Sequence, residues 1–139
     1  MIPYNELRIG NFVLVEQTMQ RISMIDKTSS TTTAFPGAKK EEAKTRTPHF
    51  LESLQPVPLN DEILKQCGFV YHDYFKFWQL IRGADESRSE MDMDRDYNIL
   101  DFMRKPIVKK VASLHQLQNI YFMLKGKELL FGETEVVHQ

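Results

Sequence analysis

Net charge is the first thing this chain lacks: 18 Lys and Arg stand against 19 Asp and Glu over 139 residues, a formal balance of -1. No global field therefore draws the molecule to nucleic acid or to an anionic membrane. Cysteine is nearly absent too. Cys67 stands alone, which excludes an intramolecular disulfide and suits a reducing cytoplasm. No apolar run approaches the ~20 residues of a membrane-spanning helix. Met1–Val15 has neither the basic start nor the unbroken apolar stretch of a signal peptide. Also missing are a glycine-rich phosphate loop, a G-x-S-x-G elbow and any zinc spacing. The expectation is a cytoplasmic protein with no membrane association and no cofactor, folded as a single domain over residues 1–139.

What is present gathers around Ser113–Gly126, SLHQLQNIYFMLKG. Ser113 and Gln116 have the spacing of a capping box, and Gly126 stands where a helix end favours the left-handed conformation. Leu114, Leu117, Ile120, Tyr121 and Leu124 fall on one arc, the expected core face. His115, Gln118, Asn119 and Phe122 form a second stripe at i, i+3, i+4 and i+7, with no charge between Ser113 and Lys125. Amides and an imidazole need partners when buried, while a phenyl ring gains by leaving water. This stripe is the expected binding face, for a protein partner or for a second copy of the chain. The alternative is that another part of the same chain covers it.

Elsewhere the pattern is of short strands. Gly10-Asn11 leads into Phe12–Val15, a polar break, and Gln20–Ile25, a hairpin of the kind that begins a meander or a small SH3-like barrel. Residues 27–48 are rich in Ser, Thr, Lys and Glu and read as a mobile hairpin loop. Asn60 caps a short helix, Asp61–Cys67, ended by Gly68. Phe69–Tyr71 and Tyr74–Ile81 form a second hairpin, with Phe75, Phe77 and Ile81 on one face and Trp78 and Leu80 on the other. Residues 83–96, with six acids and two bases over 84–96, read as a charged mobile loop. Strands over Tyr97–Met103 and Ile107–Ala112 follow, the latter an edge strand guarded by Lys109 and Lys110. The fold class expected is α+β: a bent, mostly antiparallel sheet of five to seven strands, one main C-terminal helix and one short helix.

Other candidate chemistry is sparse. Asp92, Asp94 and Asp96 resemble the opening of a calcium loop, but Tyr97 replaces the required glycine and Met103 the closing glutamate. No metal is expected. Cys67, at a helix C-terminus, is a poor nucleophile and reads as buried. Arg104, Lys105, Lys109 and Lys110 cluster and, with neighbouring aromatics, offer an alternative nucleic-acid surface. An enzyme would rest on His115 as acid or base, with a carboxylate supplied by a loop.

The stretch HQLQNIYFMLKGKELLF, residues 115–131, resembles a family of small uncharacterised proteins of bacteria and their prophages. Asn5–Val13 (NELRIGNFV), Pro58–Phe69 (PLNDEILKQCGF) and Val111 match it in the same order. The resemblance implies residence in a phage or mobile-element gene set, among DNA-handling accessories and regulators of host proteins. It carries no reaction, cofactor or functional residue with it.

Overall fold

The computed structural model describes residues 2, 4–25, 30–34, 47–50, 53–81 and 89–132. The expected stretches 27–48 and 83–96 lie outside them over 27–29, 35–46 and 83–88. The fold is α+β. After a 3-10 turn, Tyr4–Glu6, come β1 (Phe12–Val15), β2 (Thr18–Ile25), β3 (Ser30–Ala34), β4 (Thr47–Phe50) and β5 (Leu54–Pro56). They are followed by α1 (Asp61–Cys67), β6 (Phe69–His72), β7 (Phe77–Ile81), β8 (Ser89–Asp94), β9 (Ile99–Leu100), β10 (Pro106–Val108) and α2 (Leu114–Lys125).

The chain groups into two compact units: Met1–Pro58 with Ser113–Leu124, and Leu59–Ala112 with Lys125–Gln139. In the first, five antiparallel strands run in the order β4-β3-β2-β1-β5. Its hairpin turns through Glu16 and Gln17, at φ 51° and 70°, the paired left-handed conformations of a type I′ turn. Ile2, Leu7, Val13, Val15, Ile22 and Leu54 pack as its core cluster, and Leu114, Leu117 and Tyr121 of α2 are buried as well. Pro58 and Ser113, the residues flanking the excursion into the second unit, are bridged to each other.

In the second unit the order is β10-β9-β8-β7-β6, again antiparallel. The Asn60 carboxamide caps α1 by accepting from the Ile63 N–H at 2.8 Å. Gly68 ends it at φ 101°, a conformation that favours glycine. Among the described residues no helix is long and apolar enough to cross a membrane.

The sequence suggests one bent sheet; the described residues form two sheets of five strands. The additional strands are hidden by composition. Ser30–Ala34 and Thr47–Phe50 read as polar linker, yet Thr is a strand former. Ser89–Asp94, SEMDMD, lies inside the expected charged loop but alternates, with Met91 and Met93 buried. Two expected strands are shorter than anticipated: Tyr97–Met103 reduces to Ile99–Leu100, and Ile107–Ala112 to Pro106–Val108, which does form a sheet edge. Glu128–Phe131 forms no strand.

Candidate interaction surface

The polar stripe of α2 is consumed within the first unit. Phe12 donates its N–H to Gln118 Oε1 at 2.9 Å, and Gln118 Nε2 donates to the Gly10 carbonyl at 3.0 Å. Asn119 Nδ2 donates to the Glu6 carbonyl at 2.6 Å, while its Oδ1 accepts from Arg8 Nε and Asn11 Nδ2, both at 2.9 Å. The Arg8 guanidinium lies 4.5 Å from the centre of the Phe122 ring. Gly10 and Asn11 extend the hairpin by bonding to Ile22, at 2.7 and 2.8 Å, but the Glu6 and Gly10 carbonyls and the Phe12 N–H face α2. The amides of α2 supply their partners.

This corrects two expectations. The buried face of α2 is rotated toward the polar stripe: His115 and Gln118 are buried, whereas Leu124 is 53% exposed. His115 and Gln118 are therefore closed to an outside partner, and Phe122 is half-exposed beneath Arg8. Residues 6–12 and the helix are the two halves of this clasp.

His115 lies in a chain of three groups. Its Nδ1 is 3.0 Å from the Ser113 hydroxyl and its Nε2 is 3.0 Å from Glu6 Oε1. Both capping-box side chains are directed here, since Gln116 Nε2 also donates to Glu6 Oε1 at 3.5 Å. A hydroxyl, an imidazole and an orienting carboxylate are the parts of a nucleophilic triad. A substrate would have to reach the hydroxyl, and Ser113 and His115 are each 2% exposed. The arrangement instead joins the first residues of α2 to Glu6.

In the second unit the four predicted cations are divided. Arg104 lies over the rings of Phe75 and Phe77, 4.9 and 4.5 Å from their centres. Lys105, Lys109 and Lys110 are exposed. Arg104 belongs to a tight turn in which Asp101 Oδ1 accepts from the N–H groups of Met103 and Lys105, both at 2.9 Å. Arg104 itself sits at φ 62°, a left-handed conformation held by its N–H bond to the Asp101 carbonyl at 2.9 Å. The turn projects Phe102, 90% exposed, and Met103, 63% exposed. Across from it the β6–β7 turn projects Tyr74, 87% exposed, and Phe75, 56% exposed, their rings 4.9 Å apart.

The sequence suggests a strand over Tyr74–Ile81 with Phe75 on one face beside Phe77, whereas β7 begins at Phe77 and leaves Tyr74 and Phe75 in the turn. Asp73 and Asp101, each beside exposed aromatics, were the available signal of turn chemistry.

The acidic run is structural as well. Asp92 Oδ1 accepts from the Ser89 hydroxyl at 2.6 Å. Asp94 Oδ1 accepts from the N–H groups of Asp96 and Asn98 at 2.9 and 3.0 Å. Among the described residues no three His, Cys, Asp or Glu side chains gather as a metal site. Cys67 is buried at the end of α1. Comparison with protein-family models, with curated proteins and with solved structures returns no match.

Proposed function

We propose that the chain is a non-enzymatic protein-interaction module, and that its contact surface is the pair of apolar turns in the second unit. What supports this is a single observation: Tyr74, Phe75, Phe102 and Met103 stay exposed while Arg104, stacked on Phe75 and Phe77, ties the two turns together. Aromatic, methionine and arginine side chains are the residues enriched where proteins meet. Burying a phenyl side chain is worth about 1.5–3 kcal/mol, and rings held in place lose little entropy on contact.

The charge around the turns selects the partner. Lys76, Arg104 and Lys105 edge them against the exposed carboxylate of Asp73, while Asp101 Oδ1 is occupied by backbone N–H groups. A protein segment presenting apolar side chains beside Asp or Glu fits this surface. A role as an accessory of a phage or mobile-element gene set accords with it.

Selection of short displayed peptides against the purified protein tests the reading. The recovered peptides should be rich in apolar and acidic residues. Their affinity should fall about tenfold or more, some 1.4 kcal/mol, for Phe102→Ser/Met103→Ser and for Arg104→Glu. Peptides that bind both variants as tightly as the parent would sink the proposal.

A further inference from the structure

We infer that the second unit also carries a site for single-stranded nucleic acid, in a groove on the side of the sheet that bears Tyr71 and Trp78. The groove encloses about 580 Å³, within the ~300–1,000 Å³ of ordinary ligand sites. Lys65 from α1, Lys76 from the β6–β7 turn and Arg95 after β8 line it, and all three are exposed. Its one acid, Asp61, has Oδ1 occupied by the Tyr97 hydroxyl, which donates at 2.7 Å. A chain of nearly zero net charge thus concentrates cations in one concavity.

Aromatic groups supply the second half of the chemistry. Tyr71 and Trp78 are cross-strand partners on β6 and β7, with ring centres 5.0 Å apart. Trp78 is 3% exposed and forms the floor, leaving the half-buried Tyr71 ring as a platform. Base–aromatic stacking tolerates any sequence because every base has a π-face.

Continuity of the groove argues for a strand over a single nucleotide. A second recess of about 550 Å³ shares Arg95 and Tyr97 with the first and adds Lys110, with Asp96 as its one acid. The cations of the first groove, then Arg95, then Lys110 make a track that several successive phosphates can follow. Tyr97 lines both recesses. Lys110 was expected at a nucleic-acid surface from the sequence; Lys65, Lys76 and Arg95 were not.

Trp78 is the one tryptophan of the chain, so its fluorescence reports on the groove. Titration of the intact protein with oligothymidylate at low salt should change that fluorescence saturably. The affinity should fall with salt at a log–log slope of about -2 to -3, from three or four contacts at about -0.7 each. Lys65→Glu/Arg95→Glu should weaken binding at least about tenfold, and Tyr71→Ala by about tenfold through lost stacking. Circular dichroism should be unchanged in both. Lys65→Ala/Arg95→Ala serves if the charge reversal fails to fold, and Lys125→Glu, at a residue that lines neither recess, should bind as the parent does.

Three results would overturn the inference: no saturable binding, equal affinity for the groove variants and the parent, or equal competition by polyglutamate, which has charge without bases. Thymidine monophosphate binding as tightly as the oligonucleotide would overturn the extended track. The variants at Lys65, Arg95 and Tyr71 leave Lys76, which both surfaces use, and the two apolar turns unaltered, so peptide capture by those variants should match that of the parent and the two readings fail separately.

Discussion

At the scale of single residues, three positions make distinct predictions. Gly10 sits at φ 98° with nothing within 4 Å of a Cβ built on it, so Gly10→Ala meets backbone strain without a clash. The expected cost is about 1–2 kcal/mol, read from urea unfolding; a neutral result would mean that the loop refolds around the alanine. Gln118 satisfies a backbone donor and a backbone acceptor at once. Both Gln118→Ala and Gln118→Leu should therefore cost about 1–3 kcal/mol. Rescue by leucine would show that filling the space matters more than the hydrogen bonds. Tyr97 is pushed up to about 12 by burial first, then by its hydrogen bond to Asp61 and the charge of that carboxylate. An unfolded tyrosine loses its proton near pH 10, so the folded state favours the protonated phenol. The stabilisation is complete below about pH 10 and is lost as the pH rises toward about 12. Tyrosinate absorbance should show a late component that disappears in Tyr97→Phe and moves to lower pH in Asp61→Asn. A titration unaltered by Asp61→Asn would leave burial as its whole cause.

At the scale of elements, α2 carries the largest single cost. Leu117 is fully buried, and Leu117→Ala should lose about 2–5 kcal/mol. A loss no greater than that of a surface change would put the core face elsewhere on the helix. Both helices were legible in the sequence because caps and period-3.6 spacing are local signals. The strands Phe12–Val15 and Phe77–Ile81 were legible for a similar reason, being short β-rich runs beside turn residues. The destination of the second stripe was not legible. Hydrogen-bonding capacity is visible in His115, Gln118 and Asn119, but their partners are a hundred residues away, and periodicity along one helix cannot choose between a partner and the chain's own loop. The SEMDMD strand was hidden differently. Its charges were counted as a loop signal, while the alternation that buries Met91 and Met93 is the stronger constraint. The apolar turns were misjudged because an aromatic beside a strand was assumed to continue it, although the conformation of Lys76, at φ 60°, ends the β6–β7 turn only after Phe75.

At the scale of the whole molecule, the first unit is discontinuous in sequence, with residues 59–112 leaving and re-entering at the bridged pair Pro58 and Ser113. Replacing 59–112 by a short Gly/Ser link should close a gap that is already small. The shortened chain should retain the first unit, with the Phe12 N–H protected from exchange by Gln118. A shortened chain that exchanges that proton freely would show that the first unit forms only with the second present. The same discontinuity governs how the molecule is made. The clasp joins groups 106–113 residues apart. At ribosomal speeds of about 5–20 residues per second, segment 6–12 waits roughly 5–20 s before α2 emerges to meet it. The β1–β2 hairpin can pair during that interval, with Gly10 and Asn11 bonded to Ile22, but the Glu6 and Gly10 carbonyls still lack the amides of α2. In the cell, therefore, the earliest synthesised part of this fold is among the latest to be completed, and a nascent chain stalled before Ser113 leaves segment 6–12 open to chaperones and proteases.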